Sequence, residues 1–307
     1  MEKKISVVIP NHNGRGILLK NLPSVVSNCS SAEIIVVDDA STDDSVNLIH
    51  KKFKNVKVIR LRKNKGFAIA VNTGVKAAQN QIVLLLNSDV SPRKNFLKPA
   101  LRYLTSSEKI FAVGLCDYSH ENGRIIKKGR GGGYFTKGLF FHYAANLERG
   151  LTLWASGGSS LVRKKIFLKL GGFDDIYKPF YWEDVDLGFR AAREGYYSYF
   201  EPLSAVDHYH EQGAILKQKS EYFIKSVSYK NQFIFVWKNI DDYLLIIQHI
   251  VFLPYHFAKA LLSLNLPFFI GFFWAITSLP ILVLQETFTT NSFIISEKEV
   301  LRTFEKQ

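Results

Sequence analysis

The chain has 307 residues, 47% hydrophobic and 22% charged, which allows a sizeable core and excludes global disorder. Its formal net charge of +13 calls for an anionic partner, whether nucleic acid, a membrane surface or a phosphorylated small molecule. The two cysteines, Cys29 and Cys116, are too far apart for a metal-type spacing or a disulfide framework, and a reducing compartment fits them better.

The N-terminus, MEKKISVVIP, has a five-residue apolar run before Pro10. That is too short for a signal-peptide core, so it reads as a first strand over 5–10, and the domain is expected on the cytoplasmic side. GILLKNLPSVVSN follows as a helix, AEIIVVDD (32–39) as a second strand and STDDSVNLIHKKF as a helix that Ser41 or Thr42 can cap. NVKVIRL is a third strand, GFAIAVNTGVKAA a third helix and QIVLLLN a fourth strand. Strands separated by helical stretches of this length predict right-handed βαβ units and a mostly parallel sheet. GRGGGYF (129–135) reads as a flexible loop; it follows no clear strand and lacks the Lys-Ser/Thr of a phosphate cradle.

From about residue 215 the pattern changes to long helices rich in leucine and aromatics. SEYFIKSVSYKNQFIFVWKN (220–239) reads as a helix packed on the preceding domain. No charged residue lies between Lys259 and Glu286, a length that suffices to cross a bilayer, but Pro267 and Pro280 divide it. Three readings stand: a buried hairpin of core helices, a membrane-embedded or re-entrant segment, and an in-plane interfacial pair. Two of them touch lipid. The run KKFKNVKVIRLRKNKG (51–66), with eight Lys/Arg and no acid, reads as a solvated face, with anionic headgroups or a lipid-linked diphosphate as the alternative. Without a zinc finger, an RNP-like motif or a recognition helix, nucleic acid is not an expected partner.

In open sheets of this kind ligands bind beyond the carboxyl ends of the strands. Here three such ends are polar: Pro10-Asn11, Asp38-Asp39 and Asn87-Ser88-Asp89. Asn and Asp can hydrogen-bond the imide edge of uracil or thymine, and a carboxylate ending the fourth strand can bind a hard divalent cation that clamps a diphosphate. Lys65 and Gly66 stand at a helix start, where free backbone N–H groups favour an anion. YWEDVDLGFR places Glu183, Asp184 and Asp186 within four residues. A carboxylate there can act as general base on a sugar hydroxyl, or simply favour the helix start. Gly157 and Gly158 would let backbone approach a sugar closely. His208 and His210, two residues apart on a possible strand, can share a face and bind metal or phosphate.

VVIPNHN, IIVVDDASTD, NKGFAIAVNTG, LLLNSDV, SGGSSLVRKKIFLKLGGFDD and WEDVDLGFRAAREGY together resemble, in order, the motifs of family-2 glycosyltransferases. The LLNSDV and EDVDL forms resemble the rhamnosyltransferase-like branch, which builds bacterial surface glycans. The resemblance implies an α/β GT-A catalytic domain over 1–212 and a helical region over 213–307, with a membrane-associating apolar segment at about 243–285. It implies that Asn11 and Asp39, with Asp38, contact nucleobase and ribose. Asp89 would be the metal carboxylate, with Mg2+ or Mn2+ as cofactor, and Asn87 departs from the family pattern by replacing its first Asp. His208 or His210 would complete the metal or diphosphate site. Asp184 would be the base of an inverting displacement, Glu183 would orient the acceptor or tune its neighbour, and Asp186 would be structural. The implied partners are a UDP- or dTDP-linked sugar donor, rhamnose first, and a lipid-linked or cell-surface polysaccharide acceptor at the cytoplasmic face of the inner membrane. Two rivals remain: a nucleotidyltransferase, for which PNHNGRG is a poor match, and a catalytically weak GT-A glycan-binding or scaffold protein, which Asn87 favours.

Overall fold

The computed structural model describes residues 5–121, 123–209, 220–288 and 293–305. The first half alternates as its sequence pattern predicts: β1 (Ile5–Asn11), α1 (Arg15–Asn28), β2 (Glu33–Asp38), α2 (Ser45–Lys52), β3 (Val56–Arg60), α3 (Phe67–Ala77) and β4 (Ile82–Leu86). Short β5 (Val90–Pro92) and α4 (Leu97–Ser106) lead to a long β6 (Ile110–Glu121), then β7 (Arg124–Lys128), β8 (Gly131–Thr136), β9 (Leu139–Ala144), β10 (Gly150–Thr152) and β11 (Ser159–Arg163). After α5 (Lys164–Lys169) come α6 (Glu183–Arg193) and β12 (Tyr197–His208). The remainder is helical: α7 (Glu221–Asn239), α8 (Tyr243–Leu262), α9 (Leu266–Ile276), α10 (Leu279–Phe288) and α11 (Glu297–Phe304).

The main sheet runs β10-β12-β6-β11-β4-β1-β2-β3, with β5 added to β12 and β7 to β6. Its β4-β1-β2-β3 half is parallel, while β11 runs antiparallel to both β4 and β6. Alternation along the strands feeds two layers. Val7, Ile9, Leu84 and Leu86 join the core under α1 and α4, and Val8, Val83 and Leu85 join the core under α3 and α5, as the period of two requires. Because β4 is covered on both faces it can be uninterrupted Ile-Val-Leu-Leu-Leu. The pairing Asn11↔Asp38 brings the polar ends of β1 and β2 level.

GRGGGYF is not a flexible loop. Residues 131–136 form β8, paired antiparallel with β9, and the glycines serve aromatic packing. A Cβ at 131 would lie 2.1 Å from the Trp154 ring, and one at 133 would lie 2.4 Å from Phe140. All eight Lys/Arg of the 51–66 run are exposed on α2, β3 and the turn that follows.

The C-terminal helices do not build a core of their own. Phe233, Phe235 and Val236 of α7, Ala260, Phe268, Leu282 and Leu301 share one cluster with Phe140, Val185 and Phe189 of the catalytic half. Pro267 falls in the first turn of α9, where its missing N–H costs nothing.

α7 is fastened to α6 through Asp186, which is 0% exposed. Its carboxylate accepts from Tyr177 Oη at 2.9 Å, Arg190 Nε at 2.8 Å, Lys238 Nζ at 3.1 Å and Asn239 Nδ2 at 2.9 Å. Burial would raise its pKa, but Arg190, Lys238 and the Asn239 amide hold it well below the usual carboxylate range. A depressed folded pKa contributes stability that is present above the unfolded value, about 3.9, and lost as pH falls toward the folded one. Asp186→Asn should therefore cost about 3–5 kcal/mol at neutral pH, because it leaves Arg190 without its carboxylate partner and Lys238 with Asp174 alone. It should also flatten the loss of stability on acidification. Urea unfolding midpoints of the two proteins between neutral and acid pH measure both effects; equal midpoints would remove Asp186 as the fastening.

Candidate active site

At the ends of β1 and β2 the side chains are largely committed to one another. Asn11 Nδ2 donates to Asp38 Oδ1 at 3.1 Å and to the hydroxyls of Ser41 and Ser45 at 3.2 Å, while Asp38 Oδ2 accepts from Ser41 N at 3.1 Å. Asp38 is 0% exposed and holds Asn11 and the turn at Ser41. Asn11 Oδ1 is buried without a hydrogen-bond partner and faces Gly14, where a Cβ would lie 2.3 Å away. Pro10, one position earlier, is half-buried.

Asp39 accepts from Lys65 N at 2.7 Å and Gly66 N at 2.8 Å. The N–H groups of Lys65 and Gly66, just before α3, are therefore already taken. Their anion is intramolecular, and Asp39 fixes a turn in which Gly66 takes φ +87°.

Beyond β4, Asn87 N donates to Gly158 O at 2.9 Å, and the Asn87 amide fills the space over Gly158, where a Cβ would lie 2.5 Å from its nitrogen. Gly157 is hemmed by Phe67 and Phe173, with a Cβ position 3.1–3.3 Å from their rings. Both glycines thus permit close approach within the chain itself, not the expected approach of backbone to a sugar. Ser88 beside them is half-buried.

Asp89 Oδ1 lies 3.2 Å from His208 Nε2, and Asp117 Oδ2 lies 2.6 Å from His208 Nδ1. All three are buried. Burial opposes the imidazolium, but hydrogen bonds to Asp117 and Asp89 prevail and push the His208 pKa up to about 10. β5 sets the alignment, pairing Val90 with His208, and Arg93 clamps Asp207 through two bonds of 2.7 and 2.8 Å. With a carboxylate on each ring nitrogen, His208 is an imidazolium bridging Asp117 and Asp89 at neutral pH, and a cation would have to displace the proton facing Asp89 before the two could ligate it. Among the described residues no three His, Cys, Asp or Glu stand together as a metal site. His210 lies outside the described residues. Asp117, a single acid in the buried strand stretch GLCDYS, escaped the sequence reading; its only signal was that isolation.

Glu183 and Asp184 open α6 behind two residues with left-handed backbone, Tyr181 (φ 69°) and Trp182 (φ 77°). Such conformations cost about 1–3 kcal/mol each and persist only when the surroundings over-determine them. Asn231 of α7 does so here: its amide donates to the carbonyls of Tyr177, Phe180 and Tyr181 at 2.8, 3.0 and 2.9 Å. Lys230 adds bonds to the Ile176 and Lys178 carbonyls at 3.3 and 2.5 Å. Neither residue was singled out from sequence, where both pass for polar positions on a packing helix.

The two carboxyls differ in surroundings. Asp184 accepts from Gly157 N at 3.1 Å and Val185 N at 2.9 Å; burial raises its pKa and these bonds oppose the rise. Burial, then the Asp184 charge, push Glu183 up to about 8. Asp184 therefore ionises first and Glu183 keeps its proton at neutral pH. Glu183 lines a small cavity with Lys65, Lys178 and Phe180. Gly157 and Gly158 join the two clusters, one bonded to Asp184 and the other to Asn87.

A mostly parallel half-sheet continued by antiparallel strands, with polar groups at the strand ends and a carboxylate pair opening a helix beside them, defines the GT-A fold of nucleotide-sugar enzymes. Residues 6–171 match the family described as Glycosyl transferase family 2, and the chain belongs to it. Over 240 residues, 68% of this chain and 42% of the relative, it is 26% identical to a putative polypeptide N-acetylgalactosaminyltransferase 13 of Drosophila melanogaster. It is 24% identical to a chondroitin synthase of Escherichia coli, again over 68% of this chain but 34% of the relative. The chain spans 21–42% of the length of the curated relatives it first matches. Among solved structures, GalNAc-T7 with UDP, GalNAc and Mn2+ superposes at a TM-score of 0.62 and 21% identity over 78% of this chain and 49% of that one. S. aureus TarS 1–349 in complex with UDP does so at 0.54 and 19% over 83% and 72%. These likenesses carry the fold.

Removing the Asn231 clamp leaves three buried carbonyls short of a donor, so Asn231→Ala should cost about 1–3 kcal/mol and loosen the backbone at Trp182. Thermal unfolding and near-ultraviolet circular dichroism test this, and an unchanged melting temperature would mean that the loop holds itself.

Proposed function

We propose that the protein is an inverting, metal-dependent glycosyltransferase. It moves a sugar from a UDP- or dTDP-linked donor, with rhamnose the first candidate, to a hydroxyl of a lipid-linked or cell-surface polysaccharide at the cytoplasmic face of the inner membrane. Residues 1–212 form its catalytic unit and 213–307 a helical appendage. One observation carries the reading: Gly157-Gly158 couples the Asp184 carboxylate to the β4 end, where Asp89 meets His208 of β12.

In this reading Asn11 Oδ1, the acceptor without a partner, meets the imide N–H of the base. Asp89 and His208, once the proton between them is displaced, would hold a divalent cation, Mg2+ or Mn2+, which would supply positive charge for the departing diphosphate. Asp117 holds His208 in the orientation that turns Nε2 toward Asp89. Asp184, the first of the pair to ionise, takes the acceptor proton, and no covalent enzyme intermediate is required. Glu183, still protonated, donates a hydrogen bond that orients the acceptor. Lys65 and Lys178 line the same cavity together with Asp174 and Asp175, so its wall carries charge of both signs.

Thermal shift with UDP-, dTDP- and GDP-sugars, with and without Mn2+ or Mg2+, tests the donor site. One donor should stabilise the protein only with metal, and not in Asp89→Ala; folded protein that responds to no donor would overturn the reading. In steady-state kinetics Asp184→Asn should lose roughly 10²–10⁴-fold in kcat with donor KM little changed. The pH profile should rise as Asp184 ionises and fall above about 8, where Glu183 loses its proton. In Glu183→Gln, which keeps a hydrogen-bond donor at all pH values, the alkaline fall should disappear. If it persists, Glu183 is not the group responsible.

A further inference from the structure

The outer face of α8, α9 and α10 is apolar over an extent that water does not stabilise. Leu262 and Leu264 are 87% and 82% exposed, Val251 and Ile250 64% and 60%, and Phe273 and Leu284 59% and 60%. Between Tyr243 and Gln285 the single charged residue is Lys259. Contiguous exposed apolar surface on this scale marks a docking site.

Three observations choose the occupant and its geometry. The first is amphipathic residues at the edge of the face. Tyr243, Tyr255 and Trp274 are partly exposed, and Lys137 sits with its Nζ 4.8 Å from the Tyr255 ring centre. Aromatic rings and snorkelling lysines populate a lipid headgroup layer. Lys137 and Lys259 are both exposed and no Asp or Glu lies between Tyr243 and Gln285, so the face complements anionic lipid.

The second concerns α8, which at 20 residues is long and apolar enough to cross a membrane. Yet its inner face is bonded to the rest of the fold. His249 Nδ1 bonds the Gly138 carbonyl at 2.6 Å, and its Nε2 accepts from Trp237 Nε1 at 3.0 Å. His256 Nε2 bonds the Lys137 carbonyl at 2.7 Å. Crossing a bilayer would strip these bonds or drag the β8–β9 turn into hydrocarbon, where backbone groups find no partners.

The third is a line of rings from this face to the active site. Trp274 meets Phe223 at 5.8 Å, Phe223 meets Phe180 at 6.3 Å and Phe180 meets Tyr181 at 4.8 Å. Phe180 and Glu183 wall the same cavity.

We propose that the outer face of α8–α10 docks in the plane of an anionic bilayer, with the Tyr181–Glu183 side of the active site turned toward the lipid. The orientation rests on the glycosyltransferase reading, which puts a membrane-borne acceptor on that side.

The test uses the full chain with vesicles of phosphatidylglycerol and phosphatidylethanolamine. Wild type should float with the vesicles and be released by alkaline carbonate. Leu262→Glu/Leu264→Glu should bind at least about tenfold more weakly, with melting temperature and donor hydrolysis unchanged. Both native cysteines are buried, so an environment-sensitive dye can be placed selectively at Tyr181→Cys or at Lys57→Cys on β3, the far edge of the main sheet. The first should shift to the blue on vesicle binding and the second should not. The proposal is overturned if wild type stays in solution, if carbonate fails to release it, or if the Lys57→Cys dye responds in place of the other. It is also overturned if the two leucine changes dissociate a lipid-free dimer, which would make a second copy the occupant. Flotation without any donor hydrolysis would instead sink the glycosyltransferase reading and leave the docking standing.

Discussion

Everything around the Glu183–Asp184 pair depends on one fully buried carboxylate, Asp186. It sits one turn into α6 and binds Arg190 of its own helix together with Lys238 and Asn239 at the end of α7. A lone charge there would be prohibitive, and only the surrounding donors make it tolerable. Once α7 is fixed by that contact, Lys230 and Asn231, about two turns earlier on the same helix, fall beneath the 176–181 loop and grip its carbonyls. The left-handed backbone at Tyr181 and Trp182 is thereby held, and with it the direction in which Glu183 and Asp184 leave the helix start. The C-terminal helices are in this sense part of the active site, although none of their residues stands at a strand end.

A second constraint works from the other side of the sheet. β12 pairs with β6 and with short β5, and this double pairing carries His208 between Asp117 and Asp89. The imidazole then has a buried carboxylate on each nitrogen, and its orientation is set before any ligand arrives. Helix α6 meets the β4 end through Gly157-Gly158, whose lack of side chains lets Asn87, Phe67 and Phe173 close in. The glycines thus bring two chemical centres together by packing, and contact with a sugar is not needed to explain them.

Much of this was legible in the chain itself. The alternation of short apolar runs with helical stretches fixes β1 to β4 and their helices, because strand and helix periods are local properties. The apolar run ending on Asp89 marked a strand end with a charge to account for, and the ordered motifs pointed to glycosyl transferase family 2, to which the chain belongs. Asp186 was read as structural and α7 as a packing helix, and the contacts agree. What the sequence left out at these ends has one cause. Asp38, Asp39, Lys65 and Gly66 all stand at the predicted strand ends and helix start, and in the fold Asp38 bonds Asn11 while Asp39 bonds the Lys65 and Gly66 N–H groups, partners 26–27 residues away. A sequence shows that a group can bind; it does not show that the group is already bound.

By itself the sequence determined the α/β architecture, the polar strand ends, the carboxylate pair at a helix start and the division of the apolar tail at its prolines. Each follows from composition and spacing within a few turns of chain. Only the tertiary structure decided that GRGGGYF is a strand crossed by Trp154, that Asp117 backs His208 from 91 residues away, and that Asn231 shapes the loop before Glu183. It also decided which face of α8 is bonded to the fold and which is left bare. These outcomes are set by distance in space, where burial removes water as a competing partner and makes each hydrogen bond a choice between specific groups. No local pattern in the chain encodes that choice.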